Sequence, residues 1–206
     1  MTIALALAGL ALLGAPEDPP RTDALDLVAS SGVDELQVTI LDVYGQLRSA
    51  GQLRPALPAP PAPPDRDVLR STLASAAEAA SVCLEGSDGG STVAAARAAI
   101  ARCADVLAAG DLPPMALLRA ATFKAGNTRL LKADPCVAYL EALAAFGAAC
   151  REAVAAQVIG LLDELLGRYA DAYAAAKHER SVVDFDDLEL LVADLFERLP
   201  GLAASW

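Results

Sequence analysis

Apolar residues recur every three or four positions through much of the chain, and this spacing predicts amphipathic α-helices. A clear example lies between Gly32 and Gln52. We expect Asp34 to cap this helix and Gly51 to end it in the left-handed conformation that glycine tolerates. The apolar stripe of this helix is formed by Leu36, Ile40, Val43, Tyr44 and Leu47.

Prolines interrupt the helical pattern between positions 55 and 64. Such a run fits neither a helix nor a central strand, so the chain should be extended there. We interpret it as a semi-rigid connection between two helical parts, and a polyproline ligand for an aromatic groove is the alternative. The prolines are Pro55, Pro58, Pro60, Pro61, Pro63 and Pro64.

Two Ala-rich helices are predicted after this connection. The first should begin at Asp65 or Asp67 and run to about Leu84. After a Gly-rich turn, the second should run from about Thr92 to Ala109, and the pair should form an antiparallel hairpin. A shorter helix is expected after the two prolines at positions 113 and 114.

A much longer helix is predicted to follow. Asp134 should cap it, and Pro135 should occupy its first position, where the missing N–H costs nothing. Its apolar stripe continues to Lys177. Gly147 and Gly160 are the expected sites of any bend.

The start of the last predicted helix has two interpretations. In one, Asp184 and Asp187 form a carboxylate cluster that binds a divalent cation. In the other, which we prefer, Asp184 caps the helix while Asp186 and Asp187 favour its positive N-terminal end. The residues expected to bury the inner face of this helix are Phe185, Leu188, Leu191, Val192 and Leu195.

The composition of the 206 residues agrees with these elements. Hydrophobic residues make up 55 % of the chain but aromatic residues only 4 %. A core built mostly from Ala and Leu favours closely packed helices over sheets. We therefore predict an all-α fold, a multi-helix bundle with one or more long helices and a Pro-rich connection.

The net charge of −11 argues against a surface that binds nucleic acid throughout, because phosphate contacts need clustered Lys and Arg. One window differs from the rest, since no acidic residue lies between Asp111 and Asp134. This window predicts a local basic patch, and a solvated connection between helices is the alternative. Its cations are Arg119, Lys124, Arg129 and Lys132.

The four cysteines are too far apart for a C-x-x-C metal or redox motif. We expect reduced thiols in the core, because a chain with this apolar content does not need disulfides. The only histidine, His178, has no ligand-like neighbour. The cysteines are Cys83, Cys103, Cys136 and Cys150.

The N-terminal run from Ile3 to Leu13 is apolar and too short to span a bilayer. We predict a buried helix that ends at Gly14 and Pro16, in a cytoplasmic protein without a membrane partner. A secretory signal peptide is the alternative, although no Lys or Arg precedes the run.

The segment from Tyr173 to Phe196, YAAAKHERSVVDFDDLELLVADLF, resembles the UvrD/RecB/AddA branch of superfamily I DNA helicases. In that family a Tyr, three residues, a Lys and a short basic turn precede Asp-Phe-Asp-Asp-Leu. Ser181 departs from the pattern, because many relatives have Gly there. The match is carried by Tyr173, Lys177, Arg180, Asp184, Phe185, Asp187 and Leu188.

A second segment, LRSAGQ from Leu47 to Gln52, resembles a stretch that precedes a Pro-rich segment in RecB/AddA-like members. Arg48 and Arg54 could contact a phosphate there. A basic residue near a helix C-terminus, however, more often complements the helix dipole.

The resemblance implies four parts: an N-terminal helical segment (1–54), a Pro-rich linker (55–64), an inserted helical subdomain (65–180) and the start of the return to the first motor domain (181–206). The family motif residues would have a structural role, with Lys177 and Arg180 closest to DNA or to the motor interface. The candidate DNA contacts are Lys124, Arg129, Lys132, Lys177 and Arg180.

The expected function is that of an internal segment of an ATP-dependent DNA helicase or helicase-nuclease of recombinational repair. ATP and Mg²⁺ belong to the parent helicase, whose phosphate-binding loop and magnesium-binding acidic motif this sequence lacks. We therefore expect no catalytic residue, cofactor or metal site in the chain itself, which would be inactive alone. The implied partners are DNA, the remaining motor domains and a nuclease subunit.

Two other classes of function fit the same pattern. A stand-alone helical interaction module would use an Ala- and Leu-rich stripe to dock a partner. A small exported helical protein would use the N-terminal run as its signal.

Overall fold

The computed structural model describes residues 32–87, 90–126 and 128–199. Every regular element in these ranges is helical and none is a strand, which confirms the predicted all-α fold with a long helix. The run from Ile3 to Leu13 lies outside them. The elements are α1 (Val33–Ser49), α2 (Arg66–Leu84), α3 (Gly90–Ala101), α4 (Cys103–Ala108), α5 (Met115–Ala120), a 3-10 helix (Arg129–Lys132), α6 (Asp134–Glu179) and α7 (Phe185–Arg198).

The chain divides into two compact units. The first contains the described residues up to Pro60 and those from Gln157 onward, and the second is Pro61–Ala156. One boundary falls in the Pro-rich run, which contains no helix or strand, as expected. The other falls inside α6 rather than at the residue 180 that the resemblance implies. Helix α6 itself continues through Gly147 and Gly160.

The core of the second unit is built around the first half of α6. Tyr139 and Phe146 are fully buried there, and the Tyr139 hydroxyl donates a hydrogen bond to the Ala121 carbonyl at 2.7 Å. This bond is needed because a buried hydroxyl without a partner would be destabilising. Phe123 stacks on Tyr139, with ring centroids 5.9 Å apart. Other fully buried side chains of this core are Leu73, Leu84, Val93, Val106 and Leu131.

Both ends of α2 are held by side-chain hydrogen bonds. Asp65 caps the helix as predicted, since its carboxylate accepts the backbone N–H groups of Asp67 and Val68. At the other end, the Arg97 guanidinium donates to the Leu84 carbonyl at 2.6 and 2.9 Å. The Ser87 hydroxyl also donates to this carbonyl, at 2.7 Å. The bonds from Arg97 hold α3 against the end of α2.

Two local predictions, one for α1 and one for the α3–α4 segment, are wrong. Asp34 does not cap α1, because Gly32 occupies the capping position and Asp34 lies in the first turn, where its charge favours the helix dipole. The helix predicted over residues 92–109 is interrupted at Arg102. The Asp105 amide donates to the Arg102 carbonyl at 3.0 Å and forms a tight turn. No Gly or Pro in the sequence predicts this turn.

Helix α6 begins one residue earlier than predicted, at Asp134. The Ala133 carbonyl accepts the N–H groups of Cys136 and Val137 at 3.0 and 3.1 Å, so Ala133 rather than Asp134 precedes the first turn. By length and composition α6 could cross a membrane, with a mean hydropathy of 1.4 in its most apolar 18 residues. Of that window 39 % is buried within the protein, and core helices of soluble proteins have the same character.

The first unit is held by contacts of α1 with the second half of α6. Helix α1 ends at Ser49, and Gly51, two residues later, has the predicted left-handed conformation, with a φ of 91°. The Leu57 N–H donates to the Asp163 carboxylate at 2.7 Å, which ties the start of the Pro-rich run to α6. The buried residues of this smaller core are Ile40, Leu165, Leu166 and Tyr169.

Ser181 joins α6 to α7 with a φ of 51°, in the region that favours glycine. Its N–H bonds the His178 carbonyl at 3.0 Å, and the N–H of Val182 bonds the Lys177 carbonyl at 3.1 Å. These two bonds are the Schellman motif, in which glycine usually occupies the position of Ser181. The one departure from the family pattern thus falls on a strained residue.

We predict that Ser181→Gly raises the free energy of unfolding by about 0.5–1 kcal/mol, because glycine adopts this φ without the clash of a Cβ atom. Urea unfolding would measure the change. Ser181→Ala is the matched control, since it keeps the Cβ and should give no gain. Equal stabilisation by both variants would contradict the strain at this turn.

Candidate functional site

Lys177 lies between two carboxylates where α6 meets α7. Its ammonium is 3.0 Å from Asp184 Oδ2 and 2.5 Å from Asp187 Oδ2, and its side chain is only 14 % exposed. The Tyr173 hydroxyl, four residues earlier on the same face of α6, donates to Asp184 at 3.1 Å. Four residues that carry the family resemblance therefore meet at one point.

Arg48 joins this group from the last turn of α1. Its guanidinium contacts Asp187 Oδ1 at 2.5 Å and donates to the Leu53 carbonyl at 3.2 Å. The side chain is 7 % exposed, so Arg48 is a buried structural cation rather than one that only complements the helix dipole. We call Arg48, Tyr173, Lys177, Asp184 and Asp187 the α6–α7 network.

The network contains the cap of α7. Asp184 Oδ1 accepts the N–H of Asp187 at 2.8 Å, and Asp187 Oδ2 accepts the N–H of Asp184 at 3.1 Å. This reciprocal capping box confirms the capping interpretation. The carboxylate oxygens are occupied by protein donors, and the described ranges contain no group of three or more His, Cys, Asp or Glu residues placed to hold a metal ion.

Opposing effects set the charges in the network. Burial raises the pKa of Asp184, but hydrogen bonds from the Asp187 amide, the Lys177 ammonium and the Tyr173 hydroxyl outweigh it, and the net pKa is lowered. Burial lowers the pKa of Lys177, but hydrogen bonds to Asp187 and Asp184 outweigh it and the net pKa is raised. Both groups are thus charged at neutral pH.

Three tyrosines support the network from the core of the first unit. Tyr44 packs edge-on against Tyr169 and Tyr173, at centroid distances of 4.9 and 5.8 Å. Burial raises the pKa of Tyr169 to about 12. The Lys177 ammonium also lies 4.5 Å from the centroid of the Tyr173 ring, in a cation–π contact. The network therefore packs against aromatic side chains of this core.

A cavity of about 440 Å³ opens beside the network. Its charged and titratable lining residues include Arg48, Lys177 and Asp187 of the network together with Arg54, Asp171 and His178, and Leu53 and Val183 contribute to its apolar walls. The Tyr44 side chain also lines it. The arrangement holds three helices together.

The prediction that the apolar residues of α7 are buried is wrong. Leu190 is the buried residue of α7 in the described part of the chain. Because Asp187 faces α6 through the network, Leu190, one turn later, faces α6 as well, and the remaining apolar side chains face outward. We call these outward residues the apolar face of α7: Phe185 (73 % exposed), Leu188 (50 %), Leu191 (53 %), Val192 (49 %), Leu195 (46 %), Phe196 (40 %) and Leu199 (50 %).

The candidate DNA contacts lie in different places. Lys124, Arg129 and Lys132 are exposed in the second unit. Arg129 and Lys132 are the first and last residues of the 3-10 helix, where side chains three positions apart point the same way. Arg180 is exposed in the first unit, whereas Lys177 is engaged by two carboxylates and is not free to contact a phosphate.

Sequence reasoning found Tyr173, Lys177, Asp184 and Asp187 but did not connect them with Arg48. One feature of the sequence could have indicated this link: Arg48 lies in the second segment that resembles the helicase family. No family model, no curated protein and no solved structure matches the chain.

We predict that Asp184→Asn, which keeps a capping side chain but removes the charge, lowers the free energy of unfolding by about 1 kcal/mol at pH 7. The lowered pKa of Asp184 means that this contribution is present above its unfolded pKa of 3.8 and is lost as the pH falls through the folded pKa. The difference from the wild type should therefore shrink in acid. Urea unfolding between neutral and acidic pH would measure it.

The matched control is Asp194→Asn on the same helix. Asp194 pairs with Arg198 at 2.9 Å in an i,i+4 contact, and the Arg198 side chain is 74 % exposed. Such a pair contributes little, so the control should stay within about 0.5 kcal/mol of the wild type. A loss in Asp184→Asn that is the same at every pH would contradict the ion pair as its cause.

Proposed function

We propose that this chain is an internal segment of an ATP-dependent DNA helicase or helicase-nuclease of the UvrD/RecB/AddA type. Its role is architectural: it joins an inserted helical part to the beginning of the motor core and places both beside DNA. ATP binding and hydrolysis belong to other parts of the parent protein.

The observation that carries the proposal is the convergence of the two segments with a family resemblance. The segment at positions 47–52 supplies Arg48, and the segment at positions 173–196 supplies Lys177 and Asp187. The two segments resemble the family independently, and they meet in one partly buried ion-pair network. Two unrelated chance resemblances would have no reason to lie in contact.

The apolar face of α7 supports the same proposal. Six large apolar side chains of α7, with Leu199 directly after it, are each at least 40 % exposed. Contiguous exposed apolar residues of this kind mark surfaces that another surface covers. A helix at the start of a motor core would be covered by the rest of that core. The exposed face is what a segment separated from its neighbours would present.

The residues of this chain do not fit an ATP–Mg²⁺ site. A phosphate-binding loop needs G-x-x-x-x-G-K-[ST], and none of the glycines in the sequence begins that pattern. The charged residues of the α6–α7 network are paired with one another.

The genomic DNA on both sides of the reading frame tests the proposal. Translated in register with frameshifts resolved, it should encode a phosphate-binding loop upstream and, downstream, an apolar strand that ends in acidic residues. Clean stop codons and an independent promoter, without either motif, would overturn the proposal.

The basic patch is the proposed DNA contact of the second unit. We predict that Arg129→Ala combined with Lys132→Ala weakens binding to duplex DNA and lowers the slope of log K against log salt by about 2, because each phosphate that the protein no longer neutralises reduces the slope by roughly 0.9. Fluorescence anisotropy over a salt series would measure both effects.

The matched control for the basic patch is Arg102→Ala combined with Arg151→Ala. Both arginines are exposed in the same unit, and their removal changes the net charge equally. The control should leave the salt slope unchanged. Equal losses of affinity in the two double variants would mean that only the overall charge matters, which would contradict a localised contact.

A stand-alone interaction module is the second candidate function, and the apolar face of α7 favours it too. The two candidates differ in what covers that face. Self-association of the purified chain that Leu191→Asp abolishes would favour the module, because a face that evolved for a partner should be sufficient for association.

A further inference from the structure

The apolar face of α7 has a regular spacing. Phe185, Leu188, Val192, Leu195 and Leu199 follow one another at alternating steps of three and four positions. Such steps average about 3.5 residues, the repeat with which two helices coil around each other. The five side chains are between 46 and 73 % exposed, so the stripe that they form is open to solvent. This spacing is that of one partner in a two-helix coiled coil.

Acidic side chains without an ion pair lie along one side of this stripe. Successive helical residues are about 100° apart, which places Glu189 next to the stripe and Asp186 and Glu197 farther out on the same side. None of the three has a salt bridge in the part of the chain that the structure describes. On the opposite side, Asp194 is paired with Arg198 at 2.9 Å. The unpaired charge beside the stripe is therefore negative.

This charge decides between the surfaces that could cover the stripe. A second copy of the chain would bring the same unpaired acids to the contact, and each copy has a net charge of −11. Like charges beside a coiled-coil stripe disfavour pairing, whereas Lys or Arg in the same places would pair with the acids. The complementary surface is therefore an apolar stripe flanked by basic residues.

We propose that the apolar face of α7 docks a partner helix whose apolar stripe has the same three-and-four spacing and is flanked by Lys or Arg. The inference rests on the proposed function, which places this helix in the rest of the motor core. It adds the shape and the charge of the surface that α7 contacts.

Fluorescence anisotropy with labelled synthetic peptides tests the proposal on the full chain. The Lys peptide is designed as a helix of about 21 residues, three heptads, with Leu at the stripe positions and Lys on both flanks, where like charges keep it from pairing with itself. The Glu peptide has Glu in place of Lys, and the scrambled peptide has the composition of the Lys peptide without the stripe. At physiological ionic strength we expect the Lys peptide to bind at least roughly tenfold more tightly than either of the others.

Glu189→Lys combined with Glu197→Lys should reverse this preference, so that the Glu peptide binds more tightly than the Lys peptide. Both glutamates are exposed, so the substitutions should leave the fold intact. The matched control is Glu141→Lys combined with Glu152→Lys, which changes the net charge equally at exposed positions of the second unit. The control should keep the wild-type preference.

Leu195→Asp introduces a charge into the stripe and should weaken binding of the Lys peptide by about tenfold or more. Its matched control is Val154→Asp in the second unit, because the Leu195 and Val154 side chains are both 46 % exposed. This control should bind the Lys peptide as the wild type does.

Equal binding of the Lys and scrambled peptides, a reversal in the charge control, or no binding of any peptide would overturn the inference. So would a dimer of the wild-type chain in sedimentation velocity that Leu195→Asp dissociates, because a second copy would then cover the face. The genomic test is independent of these measurements. A motor core encoded around the chain without the expected peptide preference would overturn this inference alone, and the preference without a motor core would overturn the proposed function alone.

Discussion

Asp187 accepts hydrogen bonds from three separate parts of the first unit, and the orientation of α7 depends on them. One oxygen binds Arg48 of α1, and the other binds Lys177 of α6 and the backbone N–H of Asp184. Removing these charges from water costs free energy, and their pairing roughly offsets that cost. The network therefore contributes little net stability for its size. What it contributes is geometric: only one rotation of α7 satisfies all three donors.

The local elements of the fold could be predicted where short-range chemistry determines them. Asp65 supplies the cap of α2 through N–H groups two and three residues away, and Gly51 tolerates the positive φ that ends α1. The interruption at Arg102 could not be predicted, because the segment is Ala-rich and favours helix throughout. The Asp34 prediction failed because Gly32 supplies the start of α1 through its backbone conformation.

The same distinction between local and long-range contacts applies to the candidate site. Tyr173 and Lys177 are one helical turn apart, and Asp184 and Asp187 form a capping box over four residues, so their proximity follows from the sequence. Arg48 is 139 positions from Asp187, and no local pattern connects them. The burial of α7 was predicted wrongly because an amphipathic pattern identifies an apolar face but not the element that covers it.

Helix α7 is inverted relative to an ordinary surface helix, since its capping carboxylates face the unit and most of its apolar residues face outward. Exposed apolar area is unfavourable by about 25 cal/mol per Å², so this orientation raises the free energy of the isolated unit. A few paired charges do not offset that penalty by themselves. The orientation becomes favourable once a further apolar surface covers the face, and α7 would then join the first unit to that surface. Under the proposed function, that surface is the rest of the motor core.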